Sequence, residues 1–320
     1  MKMFRIATMT ILAILAAGTV AEAAWPEKPV RFIVPFAPGG STDGIARLVA
    51  EKLSQALGQQ FAVENVAGAG GLIGAQTVSA QPADGYTVLF GTSTMSTIDV
   101  FYKDAKVNTL KDFTPVSLVS QGVLTLVVQP SLGLKTYQDF VDYAKKNPGA
   151  FNFGTPGPGV AHLAVEMLKH QSGVDVQVVA YKGAGPAMTA LISGEVQGMM
   201  EPTITTKPQV DAGKIMALAT SGAVRSKTFP DTPTIAEAMN GKFEAAFYNG
   251  VFVKVGTPDD IVKKLGEEVA KVVKMPDVAD KLGSLGQQAV GSTPTEFRSS
   301  LEKEIPQWVA VGKEAGIKPE

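Results

Sequence analysis

The chain has 320 residues, with 29 Lys and Arg against 30 Asp and Glu, a net charge of −1 at pH 7, two His and no Cys. The absence of cysteine excludes disulfides, thiolate nucleophiles, iron–sulfur ligation and a lipid-bearing cysteine, and two imidazoles are too few for an ordinary structural zinc site. No basic cluster interrupts the balanced charge, which argues against nucleic acid or an anionic membrane surface and for a small-molecule partner.

Lys2 and Arg5 precede an apolar run from Ile6 to Val20 and the small-residue end Ala21-Glu22-Ala23-Ala24. This pattern predicts a secretory signal peptide over 1–23, cleaved between Ala23 and Ala24; the apolar run falls short of a full bilayer span. Export without cysteine predicts a bacterial periplasmic location. No later segment is long and apolar enough to cross a bilayer.

From Val30 onward, short apolar runs alternate with longer amphipathic segments, which predicts an α/β fold built on largely parallel sheets. A strand over 30–35 runs into the turn Pro38-Gly39-Gly40. A helix follows, with Ser41 or Thr42 as its cap, Asp43 in its first turn and Ile45, Leu48, Val49, Leu53 and Leu57 on one face. A strand over 60–64, a glycine-rich turn at 68–71, a second helix and a strand over 86–91 complete this half. The second series has strands over 124–128, 151–154, 176–180, 196–200 and 215–219, with helices over 136–146, 160–171, 184–193 and 204–212. The apolar run 245–253 leads to Thr257-Pro258-Asp259, a helix start with proline at its first position, and helices over 258–274, 277–284 and 294–312 finish the chain. Two series of this size read as two lobes, 24–120 with 251–320 and 121–250. The chain crosses between them near 118–124 and 245–252, and the C-terminal helices pack back onto the first lobe.

Three loops carry the candidate chemistry. Phe36-Ala37-Pro38-Gly39-Gly40-Ser41-Thr42 joins the carboxyl end of a strand to a helix start, where unpaired N–H groups and the helix dipole favour an anion. It contains no Lys or Arg, so a carboxylate there is held by dipoles and hydroxyls; the competing reading is an ordinary tight turn. Thr92-Ser93-Thr94-Met95-Ser96 and Thr155-Pro156-Gly157-Pro158-Gly159, the latter followed by His162, have the same character. All three gather at strand carboxyl ends, where open α/β sheets bind ligands. The glycines at 68, 70, 71 and 74 miss the dinucleotide spacing, and neither a phosphate loop nor a nucleophile elbow is present, so no cofactor is expected. His170 reads as a solvated helix residue, Lys182 as an exposed one, and Glu201 as an acid beyond the strand 196–200, either solvated or paired with a ligand amine, hydroxyl or water. A hydrolase would have to recruit His162.

The residues also resemble a known family along essentially the whole mature chain. The matching segments include Trp25-Pro26-Glu27-Lys28-Pro29-Val30, Val34 to Asp43, Val63-Glu64-Asn65, Gly68-Ala69-Gly70-Gly71, Asp84-Gly85-Tyr86-Thr87, Asp112-Phe113-Thr114-Pro115-Val116, Tyr181-Lys182-Gly183, Ala212-Gly213-Lys214 and Gly256-Thr257-Pro258. In these it is similar to the solute-binding proteins of tripartite tricarboxylate transporters, the Bug (Bordetella uptake gene) family. The resemblance implies a type II periplasmic binding-protein fold, a non-catalytic monomer that clamps a small organic acid between two lobes and delivers it to the transporter's membrane subunits. The first loop grips one carboxylate through backbone amides and ordered waters; positions Thr155, Gly159, His162 and Glu201 of the opposite lobe read the rest. Two departures bear on ligand identity: Glu201-Pro202 stands for the usual Asp-Asn pair, and Tyr248-Asn249 for the usual Trp-Tyr. The other functional readings are a sensing module for a sensor kinase and a periplasmic hydrolase.

Overall fold

The computed structural model describes residues 25–319; the leader and its cleavage site lie outside the described residues. The chain begins with β1 (Val30–Val34), α1 (Ser41–Leu57), β2 (Phe61–Asn65), α2 (Leu72–Ser79), β3 (Thr87–Thr92), α3 (Thr94–Phe101) and the short α4 (Thr109–Asp112). The long β4 (Phe113–Val128) leads to α5 (Tyr137–Lys146), β5 (Phe151–Thr155), α6 (Val160–Ser172), β6 (Val176–Ala180), α7 (Ala184–Ser193), β7 (Gly198–Pro202), α8 (Thr203–Asp211), β8 (Met216–Thr220) and α9 (Ile235–Met239). It ends with β9 (Ala246–Lys254), α10 (Asp259–Val273), α11 (Pro276–Ser284), β10 (Gln287–Ala289) and α12 (Pro294–Glu314).

The strand order is β2-β1-β3-β9-β4-β7-β5-β6, with β8 and β10 also on β4. β1, β2 and β3 are parallel, as are β5, β6 and β7, while β4 and β9 run against their neighbours. β4 is the spine of both lobes: Phe113 to Val123 pairs with β9, and Leu124 to Val128 pairs with β7 and β8. Only its second half is legible in the sequence as a strand. Ser221 fastens the crossing, since its N–H donates to the Leu124 carbonyl, its hydroxyl accepts from the Leu124 N–H, both at 2.9 Å, and its carbonyl accepts from the Ala245 N–H at 3.0 Å.

Each sheet buries both faces. In the first lobe, Val30, Phe32 and Val34 pack under α1 and α10 through Ile45, Val49, Leu53, Leu265 and Val269, while Ile33 and Leu89 turn to the opposite face with Phe252 and Phe297. In the second, Phe151, Phe153 and Met200 lie on one face with Leu163 and Leu168, and Val127 and Met199 on the other with Ala187 and Leu191. This alternation along single strands is what two-faced burial in a three-layer α/β fold requires.

α12 packs back onto the first-lobe core and also reaches the second. Phe297, Leu301 and Ile305 join the first-lobe core, but Trp308 and Val311 belong to the cluster containing Phe153, Leu163 and Ala164. Pro306 lies between the two sets and cannot donate the helical bond to Glu302. The helix starts with a capping box in which the Thr293 hydroxyl accepts from the Glu296 N–H at 3.2 Å and the Glu296 carboxylate accepts from the Thr293 N–H at 2.8 Å. Thr293→Ala is expected to lower stability by about 1 kcal/mol in urea unfolding, because one orphan donor of the first turn loses its partner. Among the described residues, no helix is long and apolar enough to cross a membrane.

Candidate functional site

The loop after β1 is shaped by Asp43, in the first turn of α1. Gly40, not Ser41 or Thr42, is the N-cap of α1, and no side chain caps it. Asp43 reaches back instead, its carboxylate accepting from the Gly39 N–H at 2.9 Å, the Asn65 amide at 2.8 Å and Arg47 Nε at 3.0 Å. The Asn65 amide also donates to the Phe36 carbonyl at 2.9 Å. Gly39 closes the turn at a φ of 87°, where a side chain would be strained. These contacts, led by the Arg47 bond, lower the Asp43 pKa to about 2. The carboxylate is therefore ionised at neutral pH and its charge is offset by Arg47, so the loop carries little net charge. Among the described residues, the N–H groups of Ser41 and Thr42 find no acceptor, as expected of a first helical turn. Ala37, Gly39, Gly40 and Ser41 are exposed, and Phe36 and Thr42 half-buried. The spacing of Asp43 and Arg47, one helical turn apart, was readable in the sequence; the part played by Asn65 needed the β1–β2 pairing.

The loops after β2 and β3 adjoin this one. The Gly70 carbonyl accepts from the Thr94 hydroxyl at 2.7 Å, and a side chain on Gly71 would touch Phe36. Gly74, the outlying glycine of the near-fingerprint, is needed for packing, since a Cβ there would lie 2.6 Å from the Pro35 Cβ. Thr92 ends β3 opposite Asn249, and the Ser93 N–H donates to the Tyr248 carbonyl at 3.2 Å. Met95 is placed differently from its neighbours: it is buried in the first-lobe core with Ile33, Leu89 and Ile98. Tyr248 is buried too, with its hydroxyl 2.7 Å from Ser96 Oγ.

In the second lobe, Thr155 ends β5 and Gly159 is the N-cap of α6, whose first-turn N–H groups point out of the carboxyl end of the sheet just as those of α1 do. Thr155 is buried and its hydroxyl has no hydrogen-bond partner. His162, in the first turn of α6, lies against Phe101 with the rings tilted and their centroids 5.7 Å apart, and is 3.9 Å from Glu166. Burial lowers its pKa, which favours the neutral imidazole. Among the described residues, no serine is hydrogen-bonded to His162, so the triad geometry is not formed. Lys182 is exposed.

Glu201 requires a correction. It belongs to β7 itself, not to a solvated loop, because Pro202 pairs with Leu124 and Glu201 with Thr125. It is 2% exposed, and burial raises its pKa to about 7 against the opposing influence of the Thr205 hydroxyl. Thr125, opposite Glu201 on one side and opposite Thr220 on the other, completes a row across β7, β4 and β8. Glu201 Oε1 and the Thr125 and Thr220 hydroxyls all lack hydrogen-bond partners, an arrangement that calls for explanation in a native fold. A neutral glutamic acid is a hydrogen-bond donor, so this row can meet an anion without repelling it. No periodicity in the sequence marks Thr125 or Thr220; only the register does.

Among the described residues, no group of three or more His, Asp or Glu side chains is arranged to hold a metal ion. Comparison with known proteins gives a consistent picture. The family described as "Tripartite tricarboxylate transporter family receptor" matches residues 45–317. BugT of Bordetella pertussis is 33% identical, with 99% of each chain covered. Among solved structures, Rpa4515 of R. palustris with adipate is 35% identical with a TM-score of 0.80, covering 93% of this chain and 100% of that one. The periplasmic binding protein BugD is 31% identical with a TM-score of 0.76, covering 92% and 100%. MatC of Rhodopseudomonas palustris with bound malate is 30% identical with a TM-score of 0.75, covering 90% and 100%. The fold is that of these two-lobed periplasmic binding proteins, and the chain belongs to the tripartite tricarboxylate transporter receptor family, among its Bug proteins.

Proposed function

We propose that the protein is a non-catalytic periplasmic receptor that captures a small dicarboxylate between its lobes and presents it, as a monomer, to the membrane subunits of a tripartite transporter. The observation that carries this reading is a pair of unpaired helix N-termini, α1 in one lobe and α6 in the other, each at the carboxyl end of a parallel strand. Each offers backbone N–H groups and a positive dipole end to an anion. A ligand with a carboxylate at each end answers both, and adipate and malate, bound by two relatives, are such ligands. We assign 24–120 with 251–320 to the lobe presenting Phe36, Ala37, Gly39, Gly40, Ser41, Thr42, Thr92 and Ser93, and 121–250 to the lobe presenting Thr155, Gly159, His162 and Glu201. Tyr248 borders the crossing, and Met95 supports the loop from the core.

In this reading Asp43, Asn65 and Arg47 hold the first loop in shape without spending its outward amides. The neutral form of Glu201 donates to the ligand's second carboxylate. Closure removes water and strengthens every dipolar contact.

The test is a thermal-shift series on the mature chain with C4 to C10 dicarboxylates, tricarboxylates and aromatic acids. At least one dicarboxylate is expected to raise the melting temperature, increasingly with its concentration. The absence of a shift with every acid would overturn the reading.

A further inference from the structure

A chain of hydrogen bonds that the ligand loops do not account for runs from the last helix into the site. Glu304 lies on α12, two residues before Pro306. Its carboxylate accepts from Ser96 Oγ at 2.9 Å through one oxygen and from the Trp308 indole N–H at 2.9 Å through the other. Ser96 is in the first turn of α3, the helix that follows the Thr92-Ser93 loop, and its hydroxyl is 2.7 Å from that of Tyr248. Ser96, Tyr248 and Trp308 are all buried.

The two contacts of Glu304 reach toward different lobes, although Trp308 lies on α12 itself, one turn further along. Ser96 is part of the first-lobe loop system, whereas Trp308 lies in the cluster that runs through Leu163 and Ala164 of α6. α12 packs against both α3 and α6, and Gln307 Nε2 donates to the Met167 sulfur of α6 at 3.4 Å. Beyond Pro306 the helix is thus fastened to α6 and, where Gly312 meets Val100, to the end of α3; before Pro306 it is fastened to the first-lobe core. We propose that Glu304 is a positioning residue: it couples the orientation of the second lobe, carried by the far half of α12, to the placement of Ser96 and Tyr248 beside the ligand loops. Pro306 supplies the break at which the two halves of the helix change their angle. Burial, with Glu244 adding to it, raises the Glu304 pKa to about 7; Glu296 and Lys303 line the same cavity of about 490 Å³. In the neutral form the bond to Ser96 can reverse, and glutamine is a close stand-in for that form, its amide oxygen accepting from Trp308 and its NH2 donating to Ser96.

The experiment uses the absence of cysteine. Gln55 on α1 and Lys146 on α5, both exposed, are replaced by cysteine and spin-labelled, and the interlobe distance distribution is measured without ligand by double electron–electron resonance. Glu304→Ala is expected to broaden the distribution, and Glu304→Gln to restore the wild-type width. With adipate as the probe, Glu304→Ala is expected to weaken binding about tenfold, the equivalent of ~1.4 kcal/mol, and Glu304→Gln to recover most of it. The binding arm rests on the receptor reading above; the ligand-free arm does not. Wild-type width in Glu304→Ala, or broadening equal in both variants, would overturn the coupling. Failure of wild-type protein to bind adipate, malate or any other acid would instead count against the receptor reading, leaving the distances to decide the coupling.

Discussion

Asp43→Ala is expected to weaken dicarboxylate binding by about tenfold or more and to lower stability by about 2 kcal/mol. The side chain has almost no contact with solvent and closes the first loop through Gly39, Asn65 and Arg47. Hydrogen bonds to a charged group are worth roughly 1.5–3 kcal/mol, and the figure is kept low because Arg47 is half exposed and screened. The freed Arg47 charge attracts an anion weakly, but a loop without its internal acceptor must be ordered by the ligand at each binding event, and that cost is the larger. The pH dependence has a definite sign. The folded pKa is depressed to about 2 from an ordinary 3.8, so the contribution is present above pH 4 and is lost as pH falls toward 2. Acid unfolding of wild type and Asp43→Ala should therefore converge at low pH, and titration calorimetry at neutral pH reads the loss of affinity.

Glu201→Gln acts in the opposite direction and over a different range. The folded pKa is raised to about 7 from 4.5, so the folded state holds the extra proton. The stability tied to that proton is present below about pH 4.5 and is lost as pH rises through 7. The neutral amide escapes this loss. Glu201→Gln is expected to match wild type at pH 4 and to exceed it by about 3 kcal/mol at pH 8, an upper figure from the size of the shift. Urea unfolding at both pH values decides the matter, with Glu304 adding a slope of the same sign common to both proteins. Under the proposed function, ionisation of Glu201 also places a charge beside the ligand's second carboxylate. Wild-type affinity for a dicarboxylate should fall across pH 6–8, while that of Glu201→Gln stays level.

These two residues show where sequence reading succeeds and where it stops. Burial on both faces makes short strands conspicuous, so 176–180 is recovered as β6 and 151–154 all but one residue of β5. The first half of β4 is missed because Pro115, Ser117 and Ser120 interrupt its apolar run; the interruptions are tolerated where register shifts fall, beside Pro115 and Ser120. The short β10 has too few residues to carry any pattern. The anion-binding character proposed for 36–42 is local, because a strand end, a glycine turn and a helix start are adjacent in the chain. What holds that loop is partly local, in Asp43 and Arg47, and partly a matter of β1–β2 register, in Asn65. The setting of Glu201 is wholly non-local: burial raises its pKa, and that burial comes with the pairing of β7 to β4, where it faces Thr125 more than seventy positions away in the chain.

The most direct test of a receptor that recognises its ligand by two carboxylates is titration calorimetry of the mature chain with adipate and malate beside their uncharged diamides. The account predicts one-to-one binding of at least one diacid and no measurable binding of its diamide, which presents no anion to the α1 and α6 N-termini. Equal affinity for a diacid and its diamide, or binding of neither diacid, would contradict it.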